Sequence, residues 1–263
     1  MEGFGMPKLI ISGRGGSGKS TLVTLIAHTL KEQKKRVLVV DSDESNIGLS
    51  GILGIEPAEK TLMDYLGGKP RVMKKLRSMI RDGETEPELF REKFDLESLS
   101  QEFVCWVGSL GLMQIGKIDH AMEGCACPMG AVTRDFLNHV RLEEDQWVLV
   151  DTEAGVEHFG RGIVEGADAV VMVVDPSSDA VLLAEKAAKL THEADKRFGV
   201  ILNKIDEETE PILTELLTSE GNEIKGVLPY SPAITKMNLK GESLGAYAVK
   251  NEVDEIIREL MKC

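Results

Sequence analysis

Short runs of consecutive apolar residues alternate along the chain with longer stretches whose apolar positions recur every three or four residues. The first kind covers residues 8–12, 36–41, 146–151, 167–174, 198–202 and 224–228. Runs that are mainly apolar, with no polar residue at every second position, suit strands of a parallel sheet covered on both faces. The second kind predicts helices. Residues 20–33 place Leu22, Leu25, Ile26 and Leu30 at helical spacing and close on Lys34 and Lys35. Residues 129–140 align Val132, Phe136, Leu137 and Val140; residues 249–261 align Val253, Ile256, Ile257 and Leu260; residues 177–197 form a further long helix. Strand–helix alternation of this kind predicts an α/β fold: a doubly wound, mostly parallel sheet flanked by helices. Residues 56–100 are charged and less regular, and are read as a helical surface segment with helices over 67–80 and 86–99. Residues 101–107 and 110–115 read as extended. No repeat or linker breaks the pattern, so the 263 residues are expected to form a single domain.

The first strand runs into Gly13-Arg14-Gly15-Gly16-Ser17-Gly18-Lys19-Ser20, which fits the phosphate-binding pattern G-x-x-x-x-G-K-[ST] between a strand and a helix. Gly13, Gly15, Gly16 and Gly18 let the backbone curl until successive N–H groups converge on an anion, and the helix start adds its positive end. Ser17 and Thr21 join this nucleotide-binding set. Lys19 is expected on the β/γ-phosphates and Ser20 on Mg²⁺.

Acids close two of the apolar strands. Asp41 and Asp43 lie at the mouth of one; Asp43 is assigned to orient the attacking water and Asp41 to support the metal's water shell. Asp151 ends another as a Walker B acid and is expected to hold Mg²⁺, with the Gly155 N–H meeting the γ-phosphate and moving the loop that follows. Asn203 and Lys204, at a third strand's carboxyl end, lie where a base would sit, and Pro229 and Tyr230, which follow the last strand, are placed with them in the nucleotide-binding set. The chemistry implied is Mg²⁺-dependent hydrolysis of a nucleoside triphosphate.

Lys+Arg total 31 against Asp+Glu 44, a net charge of −13, so neither nucleic acid nor anionic membrane is an expected partner. The first seven residues carry no basic and apolar leader pattern, and a cytoplasmic location is expected. Four cysteines in a chain this long suit a reducing compartment. Cys105 in its apolar run reads as a core residue, Cys263 as an exposed terminus, and the loop His120 as solvated. Cys125-Ala126-Cys127-Pro128 differs from these: Pro128 suits a first helical position, which would put Cys127 at the N-cap, where a thiol is readily a thiolate. Two such cysteines fill half of a tetrahedral site. A two-fold axis between identical protomers would supply the rest and give a bridging Zn²⁺, or Ni²⁺ in square-planar form.

Taken together, Gly13 to Ser20, Asp41-x-Asp43, Asp151 to Gly155 and Asn203-Lys204 resemble the MinD/ParA branch of P-loop ATPases, which includes the nitrogenase iron protein. Within that branch Cys125-x-Cys127, Ala154-Gly155-Val156-Glu157-His158, Arg161-Gly162 and Pro229-Tyr230 look most like the carbon monoxide dehydrogenase accessory ATPases, the CooC family. That resemblance implies an ATP-dependent homodimer that binds nickel or zinc and assists nickel insertion into carbon monoxide dehydrogenase or a related nickel/iron–sulfur enzyme. One position departs: the branch's signature lysine, which reaches across the dimer to the partner's phosphates, is Arg14 here. Arginine keeps the charge but presents a planar fork. Three other readings stay open: a nickel-chaperone GTPase, since Asn203-Lys204-x-Asp206 fits a guanine-selecting pattern; a MinD/ParA-like positioning ATPase; and an iron–sulfur electron donor.

Overall fold

The computed structural model describes residues 8–83, 88–117, 127–156, 159, 162–245 and 249–262. Among the described residues ten strands follow in chain order: β1 (Lys8–Gly13), β2 (Arg36–Asp41), β3 (Phe94–Asp95), β4 (Val104–Val107), β5 (Leu110–Gln114), β6 (Val140–Arg141), β7 (Gln146–Asp151), β8 (Ala169–Val174), β9 (Arg197–Ile205) and β10 (Ile224–Pro229). Eight of them form one sheet in the order β10-β9-β8-β1-β7-β2-β5-β4, parallel except for the antiparallel edge pair β4–β5. The predicted doubly wound α/β architecture is therefore borne out.

The helices are α1 (Lys19–Glu32), α2 (Leu49–Leu53), α3 (Leu62–Tyr65), α4 (Lys69–Arg81), α5 (Cys127–His139), α6 (Ser178–Glu193), α7 (Thr209–Ser219), α8 (Pro232–Lys240) and α9 (Lys250–Met261). Successive strand residues feed two cores. On one face Leu9, Ile11, Val37, Val39, Trp147 and Leu149 pack with α1, α2 and α9. On the other, Ile10, Leu38, Val40, Val148 and Val150 pack with α4, α5, α6 and α7. A sheet buried on both faces has no polar side to alternate, which is why its strands read as unbroken apolar runs.

The helix predicted over 86–99 does not form in its described part. The backbone N–H groups of Leu89 and Phe90 donate instead to the buried carboxylate of Asp135 on α5, at 2.6 and 2.9 Å. Farther on, β3 pairs with β6 and a 3-10 turn covers Leu96–Ser98. Amides captured by a distant acid cannot serve a local helix. In the other direction, α2, α7 and α8 lie where no helix is predicted, and α3 falls within the helical segment 56–100 but ahead of its two named helices. The helix over 67–80 is present as α4, with Val72 and Leu76 buried. Cys105 is half-buried at the sheet edge, against the core that contains Leu9 and Trp147. Among the described residues no helix is long and apolar enough to cross a membrane.

In an open parallel sheet, ligands bind beyond the strands' carboxyl ends where the strand order reverses. Here that place lies beside β1, flanked by β7 and β8.

Candidate nucleotide-binding active site

The phosphate-binding loop leaves β1 and enters α1 at Lys19. Its glycine at position 18 is required twice over: φ is +101°, and a Cβ there would stand 2.2 Å from Asn203 Nδ2. Asn203 Nδ2 donates to the Ser17 carbonyl at 2.7 Å, and Lys204 Nζ to the Gly16 carbonyl at 2.6 Å. Two carbonyls that would repel an anion are thus held by side-chain donors. Both residues therefore meet the loop, although they were expected at the base. Lys19 is buried, with Nζ 3.4 Å from the Arg14 carbonyl. Burial pushes its pKa down, opposed by the charges of Asp151 and Asp43.

Sheet register sets the acids side by side. Asp41 of β2 is the direct partner of Asp151 of β7, and Asp151 in turn faces Ile11 of β1. Asp151 is fully buried; its Oδ2 accepts from Ser20 Oγ at 2.6 Å and from Asn46 Nδ2 at 3.1 Å, while its Oδ1 is buried with no hydrogen-bond partner among the described residues. Burial pushes the Asp151 carboxyl up to about 7; the Ser20 hydrogen bond and Lys19 pull it down, and the charges of Asp41 and Asp43 add to the rise. A buried carboxylate with an orphaned oxygen, next to a P-loop hydroxyl, suits a hard divalent cation such as Mg²⁺. Once bound, Mg²⁺ would neutralise charge on the β- and γ-phosphate oxygens, with Ser20 and Asp151 as the residues placed to hold it and Asp41 beside them.

Asp41 is also fully buried and is held by Lys117 Nζ at 2.6 Å and Gln114 Nε2 at 3.2 Å. Desolvation raises its pKa, and Lys117 and Gln114 counter part of that rise. Asp43 closes a turn: its Oδ1 accepts from Ser45 N at 2.9 Å and Ser45 Oγ at 2.6 Å. The Gly155 N–H, expected on the γ-phosphate, donates to the Gly13 carbonyl at 3.1 Å, while the Gly155 carbonyl accepts from Ser12 Oγ at 3.1 Å. Arg14 forks onto Asp175 of the same protomer with two bonds of 2.7 Å. Thr21 Oγ1 accepts from Asn238 Nδ2 at 3.1 Å, which ties α8 to the start of α1. Tyr230 is exposed at the end of β10, its N–H on the Ile205 carbonyl.

The sequence expectations did not include Gln114, Lys117, Asp175 or Asn238. Asn46 was expected only as part of a mobile loop, residues 44–48, that senses the γ-phosphate. Gln114 and Lys117 had no signal, because only strand order brings β5 beside β2.

Cys125 lies outside the described residues, as do residues 157, 158, 160 and 161 of the loop after Gly155. Cys127 opens α5 and Pro128 takes its second position, one residue later than expected; the Cys127 side chain lies outside the described set. Among the described residues no group of three or more His, Cys, Asp or Glu is arranged to hold a metal.

This combination of P-loop, buried strand-end acids and central position defines a P-loop ATPase. The chain belongs to the CobQ/CobB/MinD/ParA nucleotide binding domain family, whose model matches residues 8–244. It is 38% identical over 255 residues to an uncharacterized ATP-binding protein of Methanocaldococcus jannaschii, covering 97% of this chain and 100% of that one. The carbon monoxide dehydrogenase accessory protein CooC of Rhodospirillum rubrum is 29% identical over 239 residues, 90% of this chain and 88% of CooC. In fold, the chain is similar to the septum site-determining protein MinD of Pyrococcus horikoshii OT3, solved with Mg-ADP (TM-score 0.67, 18% identity, 97% and 96% of the two chains). The resemblance to the MinD/ParA branch, with a CooC relative inside it, is thus borne out.

Proposed function

We propose that this ATPase is a metal-centre maturation factor: a cytoplasmic homodimer that hydrolyses ATP to assist nickel insertion into carbon monoxide dehydrogenase or a related nickel/iron–sulfur enzyme. The observation that carries the reading is the path from the helix that begins at Cys127 to the hydrolytic loop. Helix α5 opens at Cys127, and its Thr133 Oγ1 meets Ser42 Oγ, between Asp41 and Asp43, at 3.0 Å. A change in the phosphate site that moves Ser42 therefore reaches the helix that carries Cys127. The similarity to CooC over most of both chains supports the same reading.

In this mechanism the loop amides and Lys19 position the phosphates, Asp43 orients the attacking water, and Arg14 completes the partner's site. Nickel or zinc is cargo, held by Cys125 and Cys127 of both protomers. Titration of Zn²⁺ or Ni²⁺ into wild type and into a Cys125→Ser/Cys127→Ser variant tests it: one metal per dimer is expected, with binding lost in the variant. One metal per monomer, or full binding by the variant, would sink the bridging site.

Adenine is favoured over guanine at this site. The Asp206 carboxylate, which a guanine reader would offer to the base, caps the start of α7: Oδ1 accepts from Thr209 N at 2.8 Å, Thr209 Oγ1 at 2.7 Å and Glu208 N at 3.2 Å. Calorimetric titration should give ATP at least about tenfold tighter than GTP, the discrimination a good hydrogen-bonding difference supplies. Equal affinities would return the GTPase reading.

A further inference from the structure

We propose that Lys117 is a positioning residue for hydrolysis: its ammonium group locks the Asp43–Asn46 loop in the arrangement from which the attacking water is aimed. The inference rests on the reading of this site as the one that hydrolyses ATP. An ammonium group has three N–H donors. Those of Lys117 go to Asp41 Oδ2 at 2.6 Å, the Asp43 carbonyl at 2.7 Å and the Asn46 carbonyl at 2.5 Å. A mere counter-ion for buried Asp41 would need only the first; the other two bonds grip the loop itself.

Both ends of that loop carry site chemistry. At one end is Asp43, its carboxylate turned into a closed turn by Ser45. The other holds Asn46, whose Nδ2 lies 2.9 Å from Ser20 Oγ and 3.1 Å from Asp151 Oδ2. One side chain thus sets the spacing between the residue assigned to the water and the residue that touches the P-loop hydroxyl and the Walker B acid. Its anchor is firm: Ile115 N donates to the Asp41 carbonyl at 2.9 Å, so the chain leaving β5 is already fastened to β2 two residues before Lys117. The Lys117 side chain is 13% exposed, and bonds to a sheltered charge are strong and directional. Charge-assisted bonds lost at this depth act on the rate through geometry, since small displacements of a water-aiming group are costly.

The test compares wild type with Lys117→Met, Lys117→Gln and Lys117→Arg in steady-state ATP hydrolysis and in amide hydrogen exchange of the nucleotide-free protein. Lys117→Met should lower kcat by about 10- to 100-fold while KM changes by less than about threefold, the signature of an interaction that matters in the transition state. Exchange at the Ser45, Asn46 and Gly48 amides should accelerate while amides in β2 and β7 keep their protection. Lys117→Arg should restore part of kcat, because a planar fork cannot reproduce three diverging bonds. Lys117→Gln, which keeps an N–H donor, serves if the methionine variant fails to fold. Wild-type kcat in a folded Met or Gln variant, a loss confined to KM, or exchange that rises equally in the loop and in β2 and β7 would overturn the proposal. An inactive wild type would instead count against hydrolysis at this site, and the exchange comparison would still decide whether Lys117 holds the loop.

Discussion

Replacing Arg14 by alanine is expected to lower ATP turnover by roughly 10³- to 10⁵-fold, the range for loss of an arginine that completes a phosphoryl-transfer site. The structure sets a condition on that role. Arg14 is committed to Asp175, and although burial tends to push the Asp175 carboxyl up, the hydrogen bonds and charge of Arg14 outweigh it and hold its pKa below the usual range. Asp175 is buried but the Arg14 side chain is 39% exposed, so the guanidinium is open to a competing phosphate. A bidentate guanidinium exchanges a carboxylate for a phosphate without changing its geometry, as lysine could not. If Arg14 serves the partner's site, mixing Arg14→Ala with Lys19→Ala protomers regenerates a fraction of intact sites and some activity returns. No recovery, with both variants folded and dimeric, would leave Arg14 a cis or purely structural role.

Asp151→Asn is expected to abolish Mg²⁺-dependent turnover and yet to stabilise the nucleotide-free protein above neutral pH. The sign follows from burial. The folded-state pKa of about 7 lies above the ordinary 3.8, so the folded protein keeps a proton that the unfolded chain has already lost. That contribution to stability is fully present below about pH 3.8 and is lost as pH rises through about 7. A shift of this size corresponds to at most ~4 kcal/mol, at 1.36 kcal/mol per unit. Asparagine carries no such charge and can still accept from Ser20. Differential scanning calorimetry from pH 5 to 9 should show the variant's advantage in melting temperature growing through neutrality to several degrees. Mg²⁺-nucleotide affinity of the wild type should rise over the same interval, because the cation takes the ionised carboxylate. A variant that melts below wild type at pH 8, or that still turns over ATP, would refute this account.

What the chain announces locally, the structure bears out closely. The apolar run 8–12, the glycines from Gly13 to Gly18, and the runs ending on Asp41 and Asp151 are each contiguous. Their chemistry depends on strand and turn geometry that neighbouring residues specify. The failure over 86–99 is of the opposite kind: helical residues were present, but Asp135, 45 and 46 residues away, took the amides of Phe90 and Leu89. Local propensity loses wherever a buried group must be satisfied.

By itself, then, the sequence determined the doubly wound class, the phosphate loop and the strand-end acids, since a buried parallel strand and a P-loop both write themselves into consecutive residues. Tertiary structure alone decided how those parts are wired. Strand order sets β5 against β2 and β8 against β1, and so carries Lys117 to Asp41 across 76 residues and Arg14 to Asp175 across 161. The physical reason is that hydrogen bonds and ion pairs are fixed by spatial neighbours, and in a sheet whose strands are not laid down in chain order, those neighbours are distant in sequence.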